Sequence, residues 1–497
     1  MNRRKFIGLS SSVAALAASQ KHPAVAMTAG SARKQPNFLF MIADDLMFRT
    51  IQSINNPEVH TPNLDRLVHA GTHFTHCFHQ GSWTGAICVA SRTMLNTGLS
   101  AFKASKIEMR DQSNNSVPSW GQTMREAGYD TFITGKWHLD AVTLSRSFGE
   151  QASVGPGYLA STPDMYDRPA PDNKWDAANK ALLGHWQKRG IWKNKRADVA
   201  IEHSSEIYAD AAIEHLGKTA RRQSPFFMYV AFNAPHDPRQ APQEYLDLYP
   251  VDKIAIPPNY LPEHPFDQGE HKTRDELLAP FPRTEHDVQV HRREYYAIIS
   301  HMDAQIGRIL DALKATGQAD NTYVIMTADH GLSVGEHGLM GKQNPYECSM
   351  RIPLIMTGPG IKAGKQIDEM VYQHSMYATT CDLANVPLPE HVEFPSLVPM
   401  LHAETPQPIN EEMFGWLNLL QRSIRTKKHK LIFYAQIKRY QVFDLEKDPW
   451  EMHDLVDDPA YAEVKIDLLA RLKAKQKQLG DFMDLDNPQK VTTQYDG

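Results

Sequence analysis

Apolar runs of strand length recur along the chain, and each stops abruptly at a polar group. Asn37 to Ala43 ends at Asp44-Asp45, and Tyr129 to Ile133 runs into Thr134-Gly135-Lys136-Trp137-His138-Leu139. Pro225 to Phe232 ends at Asn233-Ala234-Pro235-His236-Asp237, and Asn321 to Thr327 ends at Ala328-Asp329-His330-Gly331. Unbroken apolar runs suit strands covered on both faces, as in parallel sheets. Between them the period changes. Thr61-Pro62 opens a helix with Thr61 as its N-cap. Ile207, Ala211, Ile213 and Leu216 space a helix over 205–218, and Ile298, Met302, Ile306, Ile309 and Leu313 line one stripe of a long helix over 290–315. The alternation predicts an α/β fold: a large domain with a central, mostly parallel sheet flanked by helices. Such sheets bind ligands beyond the carboxyl ends of their strands. That is where the polar groups gather.

Two stretches break the pattern. Residues 148–196 mix Pro, Gly, Trp and charge, and 241–285 are rich in proline and histidine. The chain then changes character. Ser423 to Thr426, Lys430 to Tyr434 and Gln441 to Leu445 read as short antiparallel strands, and an amphipathic helix follows over 460–479. A boundary in Thr405-Pro406-Gln407-Pro408 divides a large domain, 36–404, from a small C-terminal antiparallel sheet-and-helix subdomain, 405–497.

Composition narrows the partners. The 497 residues are 41% hydrophobic and 22% charged, with a net charge of -5, which argues against nucleic acid. An anionic ligand must then be held by local cations and metal, not by the overall field. Four cysteines, Cys77, Cys88, Cys348 and Cys381, make no disulfide framework. Residues 1–26 read as a signal peptide: Arg3-Arg4-Lys5-Phe6-Ile7, a small apolar segment over 8–18, and Ala24-Val25-Ala26 as the cleavage pattern. The paired arginines fit twin-arginine export, and a general secretory peptide is the alternative. No second apolar run is long enough to span a bilayer. The mature protein is therefore expected to be periplasmic or secreted, with no membrane attachment.

The densest chemistry lies in Cys88-Val89-Ala90-Ser91-Arg92-Thr93-Met94-Leu95-Asn96-Thr97-Gly98. This run resembles the signature of the type I, formylglycine-dependent sulfatases of the alkaline phosphatase superfamily, with Ala90 in place of the commoner proline. Gly135-Lys136-Trp137-His138, Ala234-Pro235-His236, Met340-Gly341-Lys342-Gln343 and the run Asp444 to Glu451 extend the resemblance from residue 37 to about 455.

The resemblance implies that a formylglycine-generating enzyme oxidises Cys88 to formylglycine, whose hydrate is the nucleophile. It assigns Asp44, Asp45, Asp329 and His330 to one calcium ion that also touches residue 88. His330 stands where the family often has Asn, and imidazole is a softer ligand than oxygen. Arg92 is implied to hold the hydrated aldehyde, and Lys136 the sulfate. His138 becomes the base that releases sulfate, and Lys136 and His138 would point the same way from an extended segment. His236 and Lys342 are placed around the bridging oxygen, with His236 protonating the leaving alcohol. The expected function is hydrolysis of sulfate monoesters, of a sulfated carbohydrate or another sulfated small molecule. Choline sulfate and aryl sulfates are alternatives, as are phosphonate monoesters and phosphodiesters. A non-catalytic binder of sulfated glycans would lack a nucleophile or metal ligand, and none is missing. Trp175, Trp186 and Trp192 are candidates for stacking on sugars, and Arg283, His286, His291 and Arg292 for holding hydroxyls or sulfates.

Overall fold

The computed structural model describes residues 35–108, 117–155, 186–188, 201–269 and 274–488. In chain order the first strands are β1 (Asn37–Asp44), β2 (Thr72–Phe78), β3 (Gly81–Ser82), β4 (Asp130–Lys136) and β5 (Glu150–Gly155). Next come β6 (Trp186–Lys188), β7 (Ile201–His203), β8 (Phe226–Pro235) and β9 (Thr322–Ala328). The last are β10 (Arg351–Thr357), β11 (Lys365–Tyr372), β12 (Met413–Leu417), β13 (Gln421–Arg425), β14 (His429–Tyr434) and β15 (Arg439–Asp444). Five helices matter below: α1 (Pro62–Ala70), α2 (Ile87–Thr97), α3 (Ser204–Thr219), α4 (Glu285–Ala315) and α5 (Ala462–Leu479).

The main sheet has the order β11-β2-β10-β9-β1-β8-β4-β5. From β9 to β5 every neighbouring pair is parallel. The expected parallel core is there, and β10 interrupts it at one side by running antiparallel to both β9 and β2. β1, β8 and β9 are buried along their whole length, which explains why they read as apolar runs without alternation. The strands also sit unusually close at one point. A Cβ on Gly135, at φ +93°, would lie 1.8 Å from the Ala231 carbonyl oxygen of β8, so only glycine fits just before Lys136.

The long helix α4 begins at Glu285, five residues earlier than its apolar stripe suggests, because Thr284 and Asp287 form a capping box there. It also caps α1. Asp303 accepts the N–H of Asn63 (3.0 Å) and of Leu64 (2.7 Å), whereas Thr61 makes no side-chain cap and accepts from Gln52 N–H instead. The donor-rich first turn of α1 thus takes its acceptor from across the core.

The small sheet has the order β15-β14-β13-β12-β3. Its fifth strand, Gly81–Ser82, comes from the segment just before α2 and pairs parallel with β12. The core beneath this sheet is shared as well. Ala90 and Met94 of α2 pack with Phe414, Trp416, Leu468 and Leu472, and Phe102 stacks on Trp416 at 3.9 Å. Leu95, on another face of α2, belongs to the main core. The helix that carries Cys88 is therefore clamped between both hydrophobic cores. Among the described residues no helix is long and apolar enough to cross a membrane.

Candidate active site

Four adjacent parallel strands end at one place. β9 delivers Asp329 and His330, β1 delivers Asp44 and Asp45, β8 delivers His236, and β4 delivers Lys136 and His138. Facing them is the first turn of α2, where Cys88 is the second residue. All but the two histidines beyond β8 and β4 are essentially sealed from solvent. A helix N-terminus favours a nucleophile in its anionic form and an anionic ligand beside it.

The charges pair one to one. Lys136 bonds Asp44, Lys342 Nζ bonds Asp45 Oδ1 at 2.8 Å, and Arg92 Nε bonds Asp329 Oδ2 at 2.9 Å. Arg92 Nη1 also donates to the Lys136 carbonyl at 2.7 Å, tying the nucleophile helix to the end of β4. Ser91 Oγ donates to the Asp329 carbonyl at 2.7 Å, and Gln373 Nε2 donates to both. The chain turns sharply at two of these positions. Asp45 has φ 72° and His138 has φ 65°. Lys136 and His138 are thus brought together by a left-handed turn after β4, not by the alternation of an extended segment. Asp45 is held in its turn by the Tyr295 hydroxyl, which donates to its carbonyl, and by Asp329 Oδ1, which accepts its N–H at 3.3 Å.

Several valences are left over. Asp44 Oδ1 and Arg92 Nη2 are buried with no hydrogen-bond partner among the described residues. His330 Nδ1 lies 3.0 Å from the Gly331 carbonyl, which places a proton on that nitrogen and points Nε2 into the site. Nε2 lies 3.2 Å from Asp45 Oδ1, 3.5 Å from Asp329 Oδ1 and 3.1 Å from Cys88 Sγ. Asp44, Cys88, Asp329 and His330 present ligand atoms within 4.8 Å of one another, and so do Asp44, Asp45, Cys88 and His236. Three carboxylates, one of them with an orphaned oxygen, and an oriented imidazole fit a hard divalent cation.

The same field sets the proton affinities. Burial alone would raise the Cys88 thiol, but Lys136, Lys342 and His330 overcome it and hold the thiol well below its usual range. His138 is pushed down by burial, with Lys136 and Arg92 adding to it. His236 goes the other way. Burial would lower it, and Asp237, Asp45 and Asp44 raise it well above an ordinary imidazole. Asp329 is lifted to about 6, first by burial and then by Asp44.

Other candidates from the sequence lie elsewhere. Arg283 is fully buried and bonds Glu276 at 2.6 Å. Arg292 bonds the Val334 carbonyl and the Tyr296 hydroxyl, and His291 Nδ1 pairs with Arg239 at 3.0 Å. These three are committed to the protein's own groups. His286 sits half-buried in the first turn of α4. Trp175 and Trp192 fall outside the described residues, and Trp186 opens β6, which pairs with β7. Tyr295, Gln373 and Glu276 hold the site and carry no motif that marks them in the sequence.

Known proteins resemble this chain in sequence and in fold. The Sulfatase family model matches residues 36–386, and the model described as N-sulphoglucosamine sulphohydrolase, C-terminal, matches 335–478. A choline-sulfatase of Rhizobium meliloti is 28% identical, aligning 86% of this chain with 83% of its own. An N-acetylglucosamine-6-O-sulfatase of Bacteroides thetaiotaomicron is 24% identical over 93% of this chain and 90% of its own. Among solved structures, one determined in complex with D-glucosamine-2-N,6-O-disulfate has a TM-score of 0.70 at 24% identity, covering 92% of this chain and all (100%) of its own. A phosphonate monoester hydrolase from Silicibacter pomeroyi has a TM-score of 0.71 at 22% identity, covering 90% and 96%. With a family model spanning most of its length and these residues at the ends of its central strands, the chain belongs to the sulfatase family and is a sulfuric ester hydrolase.

Proposed function

We propose that this enzyme removes sulfate from a sulfated carbohydrate, using Cys88 after its oxidation to formylglycine and one calcium ion. The observation that carries this reading is the pair of open valences around Cys88, Asp44 Oδ1 and Arg92 Nη2, with His330 Nε2 turned toward Cys88 Sγ at 3.1 Å. In this structure the Cys88 thiol stands in for the hydrated aldehyde of the mature enzyme, which would supply one hydroxyl to attack sulfur and a second to expel sulfate. Asp44, Asp45, Asp329 and His330 would hold the ion, which would neutralise the nonbridging oxygens of the ester.

The protein's own groups do the rest. Lys136, Lys342 and Arg92 line the pocket for the anion in fixed positions, so no reorganisation is needed as charge develops. Three carboxylates balance these three cations, and a divalent ion then leaves a positive surplus that suits a singly charged sulfate ester. His236, raised by its carboxylate neighbours, keeps a proton for the leaving oxygen. His138, lowered by burial, stays neutral and accepts one. Two imidazoles pushed in opposite directions define an acid and a base.

The N-acetylglucosamine-6-O-sulfatase and the disulfated glucosamine complex favour a sulfated saccharide. The choline-sulfatase keeps choline sulfate as the second reading, with aryl sulfates and phosphonate monoesters behind it. The arginine pair at Arg3-Arg4 supports export through the twin-arginine machinery to the periplasm or medium.

The test is a substrate panel run with protein co-produced with a formylglycine-generating enzyme. Sulfated glucosamines, choline sulfate, an aryl sulfate and an aryl phosphonate are compared by kcat/KM. Highest turnover on a sulfated sugar supports the reading. Preference for choline sulfate or the phosphonate would replace it.

A further inference from the structure

Lys342 lies on a loop, not on a strand end, so something other than the sheet must hold it at the site. Its backbone is gripped from outside. Glu276, 1% exposed, accepts the N–H of Gly341 at Oε1 (2.8 Å) and the N–H of Met340 at Oε2 (2.9 Å). These are the two residues immediately before Lys342. A Cβ on Gly341 would lie 2.7 Å from Gln343 Oε1 and 3.0 Å from both Glu276 Oε1 and Asp275 Cβ, so any larger residue there would displace these side chains.

The grip is braced from behind. Arg283 Nη2 donates to Glu276 Oε2 at 2.6 Å and to the Glu276 carbonyl at 3.1 Å, and its guanidinium lies over the Phe281 ring at 4.1 Å. The Arg283 backbone is itself tied down by the Pro262 carbonyl and the Tyr260 hydroxyl. In front, Asp275 Oδ2 stands 3.8 Å from Lys342 Nζ. Gln343 Nε2 bridges Asp275 to the carbonyl of Gly85, just before the nucleophile helix. The carboxylate is also poised. Burial raises it to about 7, against the pull of Arg283 and the two N–H groups.

We propose that Glu276 is the positioning residue for Lys342: its carboxylate sets where the ammonium meets the leaving oxygen of the ester. This rests on the reading that Lys342 serves that oxygen. A bidentate acceptor for two consecutive amides fixes the peptide before Lys342, while Asp45, 2.8 Å from Nζ, fixes its tip. With both ends held the side chain has little freedom left, which is what preorganised stabilisation of a leaving group requires.

The test uses Glu276→Gln, which keeps the shape, in the mature, converted enzyme. Hydrogen exchange is followed by mass spectrometry on peptides covering 335–345, and kcat/KM is measured on aryl sulfates of graded leaving-group pKa. Exchange at Met340 and Gly341 should speed up. The loss should be within about threefold for 4-nitrophenyl sulfate and about tenfold larger for a poor leaving group, steepening the leaving-group dependence. Lys342→Ala is the reference. It should steepen the dependence at least as much, and the double variant should be no steeper than Lys342→Ala. A uniform loss across leaving groups in Glu276→Gln, or unchanged exchange at 340–341, overturns the positioning role. A flat response in Lys342→Ala instead overturns the assignment of Lys342 to the leaving oxygen.

Discussion

Two of the buried ionic clusters among the described residues differ in how completely they are satisfied. One surrounds Cys88. The other joins the small sheet to the main domain, where Glu347 meets Arg425 (3.3 Å) and Lys430 (2.9 Å), and Lys430 meets Glu451 (2.8 Å). In the junction every carboxylate oxygen is used. Glu451 Oε2 accepts the Glu347 N–H at 2.7 Å, and neither carboxylate has an orphaned oxygen among the described residues. Around Cys88 an equal balance of charge leaves Asp44 Oδ1 and Arg92 Nη2 unspent. Buried charge that is fully satisfied holds architecture together. Buried charge with open valences awaits an ion or a ligand, since an unpaired buried polar atom is otherwise destabilising.

The comparison can be broken by substitution. Lys342→Ala should lower kcat/KM about 10²- to 10³-fold, the usual loss for one preorganised cation or donor. With calcium added, circular dichroism should find its thermal unfolding less changed than that of Glu451→Ala, since the ion would neutralise the Asp45 carboxylate that the substitution leaves without its partner. Glu451→Ala should do the reverse. It strands Lys430 in the interior, so chemical denaturation should find about 3–5 kcal/mol less stability, while kcat at low temperature stays close to that of the parent. If Glu451→Ala abolished turnover in folded protein, the division between the two clusters would fail.

Metal sharpens the contrast. Adding calcium at about 100 times its Kd should stabilise the parent by about 2.7 kcal/mol through linkage. Asp44→Asn should lose most of that gain in a thermal-shift titration. Glu451→Gln should keep it.

The smallest effect concerns pH. Glu276 is raised from 4.5 to about 7. A carboxyl raised in the fold binds its proton more tightly there than in the unfolded chain. Its contribution is therefore complete below about 4.5 and is lost as pH climbs through 7. Glu276→Gln should flatten this part of the stability profile between pH 4.5 and 7, measured by urea unfolding at several pH values.

The two clusters were also unequally visible in the sequence. Asp44-Asp45, Asp329-His330 and His236 could be read because each stands at the end of a strand whose other residues are mostly apolar. A parallel strand buried on both faces advertises its end. Cys88 and Arg92 could be read because the local signature sets them four residues apart on one helix. The supporting residues were silent. Glu276 lies in a proline-rich stretch with no period, and Asp303 caps α1 from the middle of another helix. β3 is two residues long and joins a sheet whose other strands begin more than 300 residues later. Arg283 and Arg292 look like surface cations in a polar segment, yet both are buried because their partners, Glu276 and Glu336, are buried with them. Long-range pairing of this kind leaves no local trace.

The most direct test of the account is sulfate release by the converted protein beside Cys88→Ala, with peptide mass spectrometry of residue 88. The account predicts a converted residue 88 in the parent, sulfate release from its preferred ester, and a loss of at least about a thousandfold in the variant at unchanged fold. Equal release by Cys88→Ala would contradict it.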